Sequence, residues 1–157
     1  MYFLNESEED NLKISIKYDP NIKEPELTIV CRAYNDEISE MLSCVSLVNN
    51  TVSGVCGEET YFIPLSDILY FESVDGKIFF YTADNTYETS IKMYRLEEKF
   101  ENTPFSRISK SMIVNLRQVK SIKAEKNSRM SVTLSNGERV IVSRQYLNNI
   151  REKLGVK

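Results

Sequence analysis

The sequence predicts a mainly β, α+β fold with short helices, headed by a small β-β-α unit. Three features point there. Apolar residues recur at period two in one short run after another, which marks half-buried strands. Turn chemistry punctuates the runs, above all at Asp75-Gly76 and Asn136-Gly137. The helical stripes are few and short, and each follows a residue that can cap a helix.

Residues 5–11 are polar and acidic and read as a frayed start. Leu12, Ile14, Ile16 and Tyr18 then alternate with polar residues and predict a strand. Asp19-Pro20-Asn21 turns the chain, and Glu26 to Ala33 predicts a second strand carrying Leu27, Ile29 and Cys31. Asn35 or Asp36 caps a helix whose apolar face is Ile38, Met41, Leu42, Val45 and Val48, and Asn49-Asn50 ends it.

Beyond this unit, extended runs are expected at Val52–Cys56, Thr60–Ile63, Tyr70–Val74, Lys77–Thr82 and Thr86–Thr89, with one helical turn over Leu65–Leu69. Ser90 caps a helix to about Glu101, striped by Met93, Leu96 and Phe100 and stopped by Thr103-Pro104. Strands follow at Phe105–Ile108, Met112–Leu116, Val119–Ala124, Met130–Leu134 and Val140–Val142. Asn136-Gly137 reads as a two-residue hairpin turn. Ser143 caps a last helix with Leu147, Ile150 and Leu154 buried, and Gly155 stands at its C-terminal cap.

The chain has 157 residues, enough for one domain or a small pair. Its net charge of −3 conceals two zones. Residues 1–60 hold four Lys and Arg against twelve Asp and Glu, whereas residues 104–157 hold twelve against three. Charge and pattern both change near residues 50–60, so the expected division is an acidic unit over 1–55 and a second domain over 56–157. A basic zone suits a polyanionic partner, although the same charges also serve simply to solvate exposed strand faces.

Cys31, Cys44 and Cys56 are an odd count without a C-x-x-C pair, which predicts reduced, mostly buried thiols. The N-terminus lacks the basic start and apolar run of a signal peptide, and no run reaches the ~20 apolar residues of a membrane span. A soluble, cytoplasmic protein without direct membrane insertion is therefore expected.

Enzymatic chemistry finds little to work with. The chain has no histidine, so the commonest general base and metal ligand is missing. No nucleophile elbow, zinc-protease motif or phosphate loop occurs. One arrangement stands as an alternative: Asp67 with Asp75-Gly76-Lys77 is the residue set of a metal-dependent nuclease, and equally an ordinary turn acid and hairpin tip. The expectation is a non-enzyme without cofactor or metal.

Polar and cationic residues gather instead at turns and element ends: Lys77, the segment Arg107–Ser111, and Ser143-Arg144-Gln145. Turns on a rigid sheet commonly carry binding groups. Arg and Lys reach phosphates and guanine edges, Asn, Gln and Ser reach backbone or bases, and the N–H groups of a helix starting near Ser143 suit a phosphate. Taken singly, each of these residues is explained by solvation.

Their order along the chain is more telling. Ile68-Leu69-Tyr70-Phe71-Glu72-Ser73, the helix ending in Phe100, Phe105-Ser106-Arg107-Ile108-Ser109-Lys110-Ser111-Met112-Ile113-Val114-Asn115, Leu134-Ser135-Asn136-Gly137 and Val142-Ser143-Arg144-Gln145-Tyr146 closely resemble a LytTR DNA-binding domain over about residues 60–157. The resemblance implies elongated, LytTR-type β-sheets whose loops enter successive major grooves on one face of the duplex, usually at direct repeats, and bend the DNA.

It also implies roles. Lys77 would occupy the first groove-entering loop, Lys110 the second and Arg144, with Gln145 beside it, the third. Arg107, Ser109 and Ser111 would position the DNA backbone, and Asn115 would be structural or contact a phosphate. Two positions depart from the family. Histidine is common where Ser109 stands, and arginine where Lys110 stands; lysine lacks the planar fork of arginine, so base preference there differs.

Many members carry a phosphorylatable receiver domain in front. Here about 55 acidic residues precede the module, too few strands for a receiver, and they resemble the N-terminal extension of small stand-alone LytTR regulators. The expectation is a bacterial transcription regulator binding double-stranded promoter DNA as a homodimer. The extension would serve dimerisation, or receive a signal from a partner such as a membrane protein. The stripe Ile38, Met41, Leu42, Val45 fits that role, and equally fits packing on its own two strands. The alternative is an interaction module that keeps the fold but titrates a protein partner.

Overall fold

The computed structural model describes residues 13–157. The expectations for residues 5–11 and for Leu12 lie outside the described residues. The chain divides into a stretch ending at Cys31 and a compact unit, Arg32–Lys157.

The two N-terminal strands expected from periodicity do not form: residues 13–33 contain no strand. A strand needs a ladder partner as well as an alternating face. Here Ile14, Ile16, Tyr18, Leu27 and Val30 are all exposed. Pro20 and Pro25 also remove backbone donors from this stretch. The turn at Asp19 is real, since its carboxylate accepts from the Asn21 N–H at 2.9 Å.

Helix α1 spans Asp36–Ser46, and Asn35 caps it by accepting from the Ile38 N–H at 2.9 Å. Its packing face differs from the expected one. Ser43 and Ser46 are buried, while Ile38, Met41, Leu42 and Val45 are only half-buried. The Ser43 hydroxyl lies 3.0 Å from that of Ser53 and 2.9 Å from that of Ser90. Packing of the apolar stripe on two strands of its own falls with those strands.

Seven antiparallel strands make the main sheet: β1 (Thr51–Cys56), β2 (Glu59–Pro64), β3 (Tyr70–Val74), β4 (Lys77–Tyr81), β5 (Thr86–Thr89), β6 (Phe105–Ser109) and β7 (Met112–Asn115), in the order β2-β1-β5-β4-β3-β7-β6. β8 (Val119–Glu125), β9 (Arg129–Leu134) and β10 (Arg139–Val142) form a second sheet ordered β10-β9-β8. The expected strands beyond residue 50 are therefore all present, with ends shifted by a residue or so.

Alternate residues of the central strands feed two cores. Phe71, Phe80, Ile113 and Phe105 join Leu96 and Phe100 of the following helix on one face. Tyr70, Val114 and Ile108 join Met130, Val132, Leu134 and Val142 of the second sheet on the other. Where β1 crosses the stacked rings of Phe80 and Tyr87, only glycine fits, because a Cβ on Gly54 would stand 2.5 Å from the Phe80 ring.

Helix α2 covers Met93–Lys99 and starts two residues later than expected. Ser90 does not cap it, because its hydroxyl is engaged by Ser39 and Ser43. At the C-terminus a 3-10 turn over Arg144–Tyr146 precedes α3 (Leu147–Leu154), and the Ser143 side chain caps neither. Gly155 closes α3 in the left-handed conformation expected of it, with φ at 67°. Asn136-Gly137 belongs to a three-residue loop, not a two-residue one. The Gly137 N–H bonds the Leu134 carbonyl at 2.9 Å, and the Glu138 carbonyl accepts from the Leu134 N–H at 2.8 Å. Only Gly137 is left-handed there, as a turn followed by a glycine bulge requires. The cysteines also differ from expectation: all are free, but Cys31 and Cys44 are exposed.

The second sheet docks over Tyr70 and Tyr81, whose rings stack at 4.3 Å. Burial, reinforced by the nearby Glu138 carboxylate, pushes the Tyr70 hydroxyl well above the ordinary tyrosine value of 10.0. The folded state thus holds this proton more tightly than the unfolded chain. Its contribution is complete below pH 10 and is lost as pH rises above it. Urea titrations should therefore show stability falling above pH ~10 by at most about 1.4 kcal/mol per pH unit for this proton, and less steeply in Tyr70→Phe. Identical slopes for both proteins would disprove the assignment.

Candidate nucleic-acid interface

Four turns carry the exposed polar and cationic side chains, and two main-chain bonds and one from a side chain string them together. The first joins β3 to β4. Asp75 and Gly76 both take positive φ, 50° and 78°, as the tight mirror-type hairpin turn demands. Lys77 follows directly, opposite Val74. Its ammonium lies 3.2 Å from the Glu88 carboxylate, with both side chains substantially exposed. Such surface pairs stabilise little, so this ammonium is available to a phosphate.

The second turn, Ser109–Ser111, joins β6 to β7. The Ser111 carbonyl accepts from the Ser73 N–H at 2.8 Å, which ties this turn to the end of β3. The Ser111 N–H donates to the Ser109 hydroxyl at 3.2 Å, and Lys110 in the turn is exposed. A bulge between Arg107 and Ser109 shifts the strand register.

Arg107, expected to position the DNA backbone, is held by partners within the chain. Its side chain is 21% exposed. Nε donates to the Ser109 carbonyl at 3.1 Å, Nη2 to the Lys110 carbonyl, and Nη1 pairs with the Glu97 carboxylate on α2. All three nitrogens are thus engaged within the chain.

The third site is the exit of β10. The Ser143 N–H donates to the Ile108 carbonyl at 2.8 Å, which anchors the Arg144–Tyr146 turn beside the second turn. Arg144 and Gln145 are exposed. Arg144 Nε donates to the Asn127 carbonyl at 3.0 Å, drawing in the fourth turn, Lys126–Ser128 between β8 and β9. Asn127 and Ser128 both have positive φ there. In the sequence this segment stands only as the gap between two expected strands; its nearness to Arg144 comes from pairing of the second sheet.

The structure therefore brings Lys77, Ser109, Lys110, Ser111, Arg144 and Gln145 onto one connected series of turns. Among the described residues, neither Lys110 nor Arg144 has a carboxylate partner. Asn115 stands apart from the series. It is 2% exposed, its amide donates to the Ile68 carbonyl at 2.9 Å, and its oxygen accepts from the Arg117 N–H at 3.1 Å. Of the two roles expected for it, the structural one is occupied, and no part of the side chain is presented outward.

The nuclease constellation does not assemble. Asp67 precedes β3 and Asp75 follows it, so a five-residue strand, Tyr70–Val74, with a backbone roughly 17 Å long, lies between them. Among the described residues no three His, Cys, Asp or Glu side chains cluster as metal ligands.

The geometry agrees with what comparison with known proteins finds. The family profile of the LytTr DNA-binding domain matches residues 58–155. An uncharacterised HTH-type transcriptional regulator of Staphylococcus aureus strain NCTC 8325 is 25% identical over 147 residues, covering 92% of this chain and 99% of the relative. Another, from strain MSSA476, is 28% identical over 140 residues, covering 87% and 95%. A solved LytTr DNA-binding domain from Bacillus cereus superimposes with a TM-score of 0.64 at 27% identity, covering 68% of this chain and 97% of that one. In this chain every pair of successive α-helices has strands between its members, so no helix-turn-helix occurs among the described residues.

Replacing Asn115 by Ala removes two buried hydrogen bonds and should destabilise the fold by about 1–3 kcal/mol. The folded variant should keep its DNA preference. A changed preference, measured at a temperature where the variant is fully folded, would return Asn115 to the interface.

Proposed function

The chain belongs to the LytTr DNA-binding domain family, and on that premise we propose that it is a transcription regulator reading double-stranded DNA with turns rather than with a helix. Lys77, Lys110 and Arg144 enter successive major grooves on one face of the duplex, and Gln145, Ser109 and Ser111 bond bases or the adjoining backbone. The observation that carries this reading is the connected series of turns, with exposed cations on central strands that feed a core on each face. Lys126, Asn127 and Ser128 join the third contact through Arg144. Residues 104–157, with twelve basic side chains against three acidic, supply the field that draws the phosphate backbone in.

The same reading places the protein in the cytoplasm, at promoters with direct repeats. It is a homodimer there, using the half-buried stripe Ile38, Met41, Leu42, Val45, with the acidic segment over residues 1–55 available to a signalling partner such as a membrane protein. Sedimentation tests the dimer. A monomer both at high concentration and on DNA carrying two repeats excludes it.

Selection from a random duplex pool should enrich a motif repeated about one helical turn apart, and affinity for it should fall steeply with salt. Arg144→Ala should weaken binding by ~1–3 kcal/mol and relax preference at one position. No enrichment and no salt dependence would transfer the function to a protein partner, the titrating module of the alternative reading.

A further inference from the structure

We propose that Glu97, on a helix that makes no contact in the DNA reading above, is a positioning residue for it: through Arg107 it sets the shape of the turn that presents Lys110. This rests on the proposed function and adds a part to it. Three observations carry it. The Arg107 guanidinium is shared between the carbonyls of Ser109 and Lys110 and the Glu97 carboxylate, so one planar fork grips both sides of the turn and the helix behind it. The helix cannot follow the turn if the turn moves, because the neighbouring Leu96 is wholly buried and Phe100 is 2% exposed. The turn also follows the bulge between Arg107 and Ser109, where ladder pairing is interrupted and the backbone needs another anchor.

The consequence concerns discrimination rather than raw affinity. Lys110 is a flexible point charge, and its selectivity depends on where its backbone is held. Releasing the grip leaves the charge in place but spreads its position. It also frees the Arg107 guanidinium, which adds a cation that reads no base. Glu97 therefore lowers non-specific binding and sharpens specific binding together.

The test uses the full chain, with Glu97→Gln, Arg107→Lys and the wild type, and two readouts. The first is amide exchange at residues 109–111 without DNA, with thermal melting as a control for global stability. Both variants should exchange faster there and melt within a few degrees of the wild type. The second is affinity for the selected duplex, for single-base changes at the position nearest Lys110, and for an unrelated duplex. Discrimination at that position should fall by about three- to tenfold, the net scale of one ordinary hydrogen bond, while affinity for the unrelated duplex holds or rises. Unchanged exchange overturns the grip itself. Faster exchange with unchanged discrimination overturns the positioning role. An equal loss on every duplex also overturns it and makes Arg107 a phosphate contact. A wild type that shows no salt-sensitive binding to any duplex fails the proposed function instead, and the exchange readout still decides whether Glu97 holds the turn.

Discussion

The pairing of β3 with β7 holds the rest of the molecule in place. Tyr70 faces Val114, Phe71 faces Ile113 and Glu72 faces Met112. Because both faces of these strands are covered, each pair commits both its residues to one core, and successive pairs alternate: Phe71 and Ile113 to the α2 side, Tyr70 and Val114 to the second sheet. A slip of one residue would exchange the two sets and bury Glu72 and Ser73 in place of rings and branched chains. The register is therefore dictated by burial on two sides at once. The side chain of Asn115 adds a lock at one end, bonding the Ile68 carbonyl, and its own N–H bonds the Leu69 carbonyl at 2.9 Å.

From that register the turns follow. With β3 and β7 aligned, the Ser73 N–H meets the Ser111 carbonyl, so the tip of the β3–β4 hairpin and the β6–β7 turn lie next to each other. The bulge in β6 swings Ile108 into the second core, and the Ile108 carbonyl then takes the Ser143 N–H. The exit of β10 is thereby fixed beside the same turn. Arg144 completes the series by reaching the Asn127 carbonyl. The exposed cations proposed to meet DNA sit on short, tethered turns, so ordering them on a ligand would lose little further conformational entropy.

Polar groups inside the fold follow the same economy of position. Ser39, Ser43, Ser53 and Ser90 satisfy one another where α1 meets the sheet. Tyr81 donates to Glu72 at 3.2 Å at the margin of the second core. Among the described residues no buried side-chain polar atom lacks a partner. The serine contact lets α1 lie against β1 without claiming its apolar stripe, which leaves Ile38, Met41, Leu42 and Val45 half-buried.

Periodicity, turn dipeptides and caps made most of the strands beyond residue 50 legible in the residues alone, because side chains on a pleated, half-buried surface must alternate. The order of motifs made the family legible as well. Alternation failed at residues 13–33, where it supplied a face but no ladder partner, and at α1, where the hydrophobic stripe did not predict that serines would take the buried side. The charges at Lys77, Lys110 and Arg144 were visible as cations at element ends. That their turns join into one series was not, since it depends on hydrogen bonds between residues as far apart as Ser73 and Ser111, or Ile108 and Ser143. Asn115 and Arg107 show the division most sharply. Both are polar residues in a recognition motif, and residue type alone suits them to DNA. Tertiary structure decided which partners each one meets inside the chain, because polar groups close to the backbone satisfy their hydrogen bonds within the fold: Asn115 bonds the Ile68 carbonyl and the Arg117 N–H, and Arg107 bonds the Ser109 and Lys110 carbonyls and the Glu97 carboxylate.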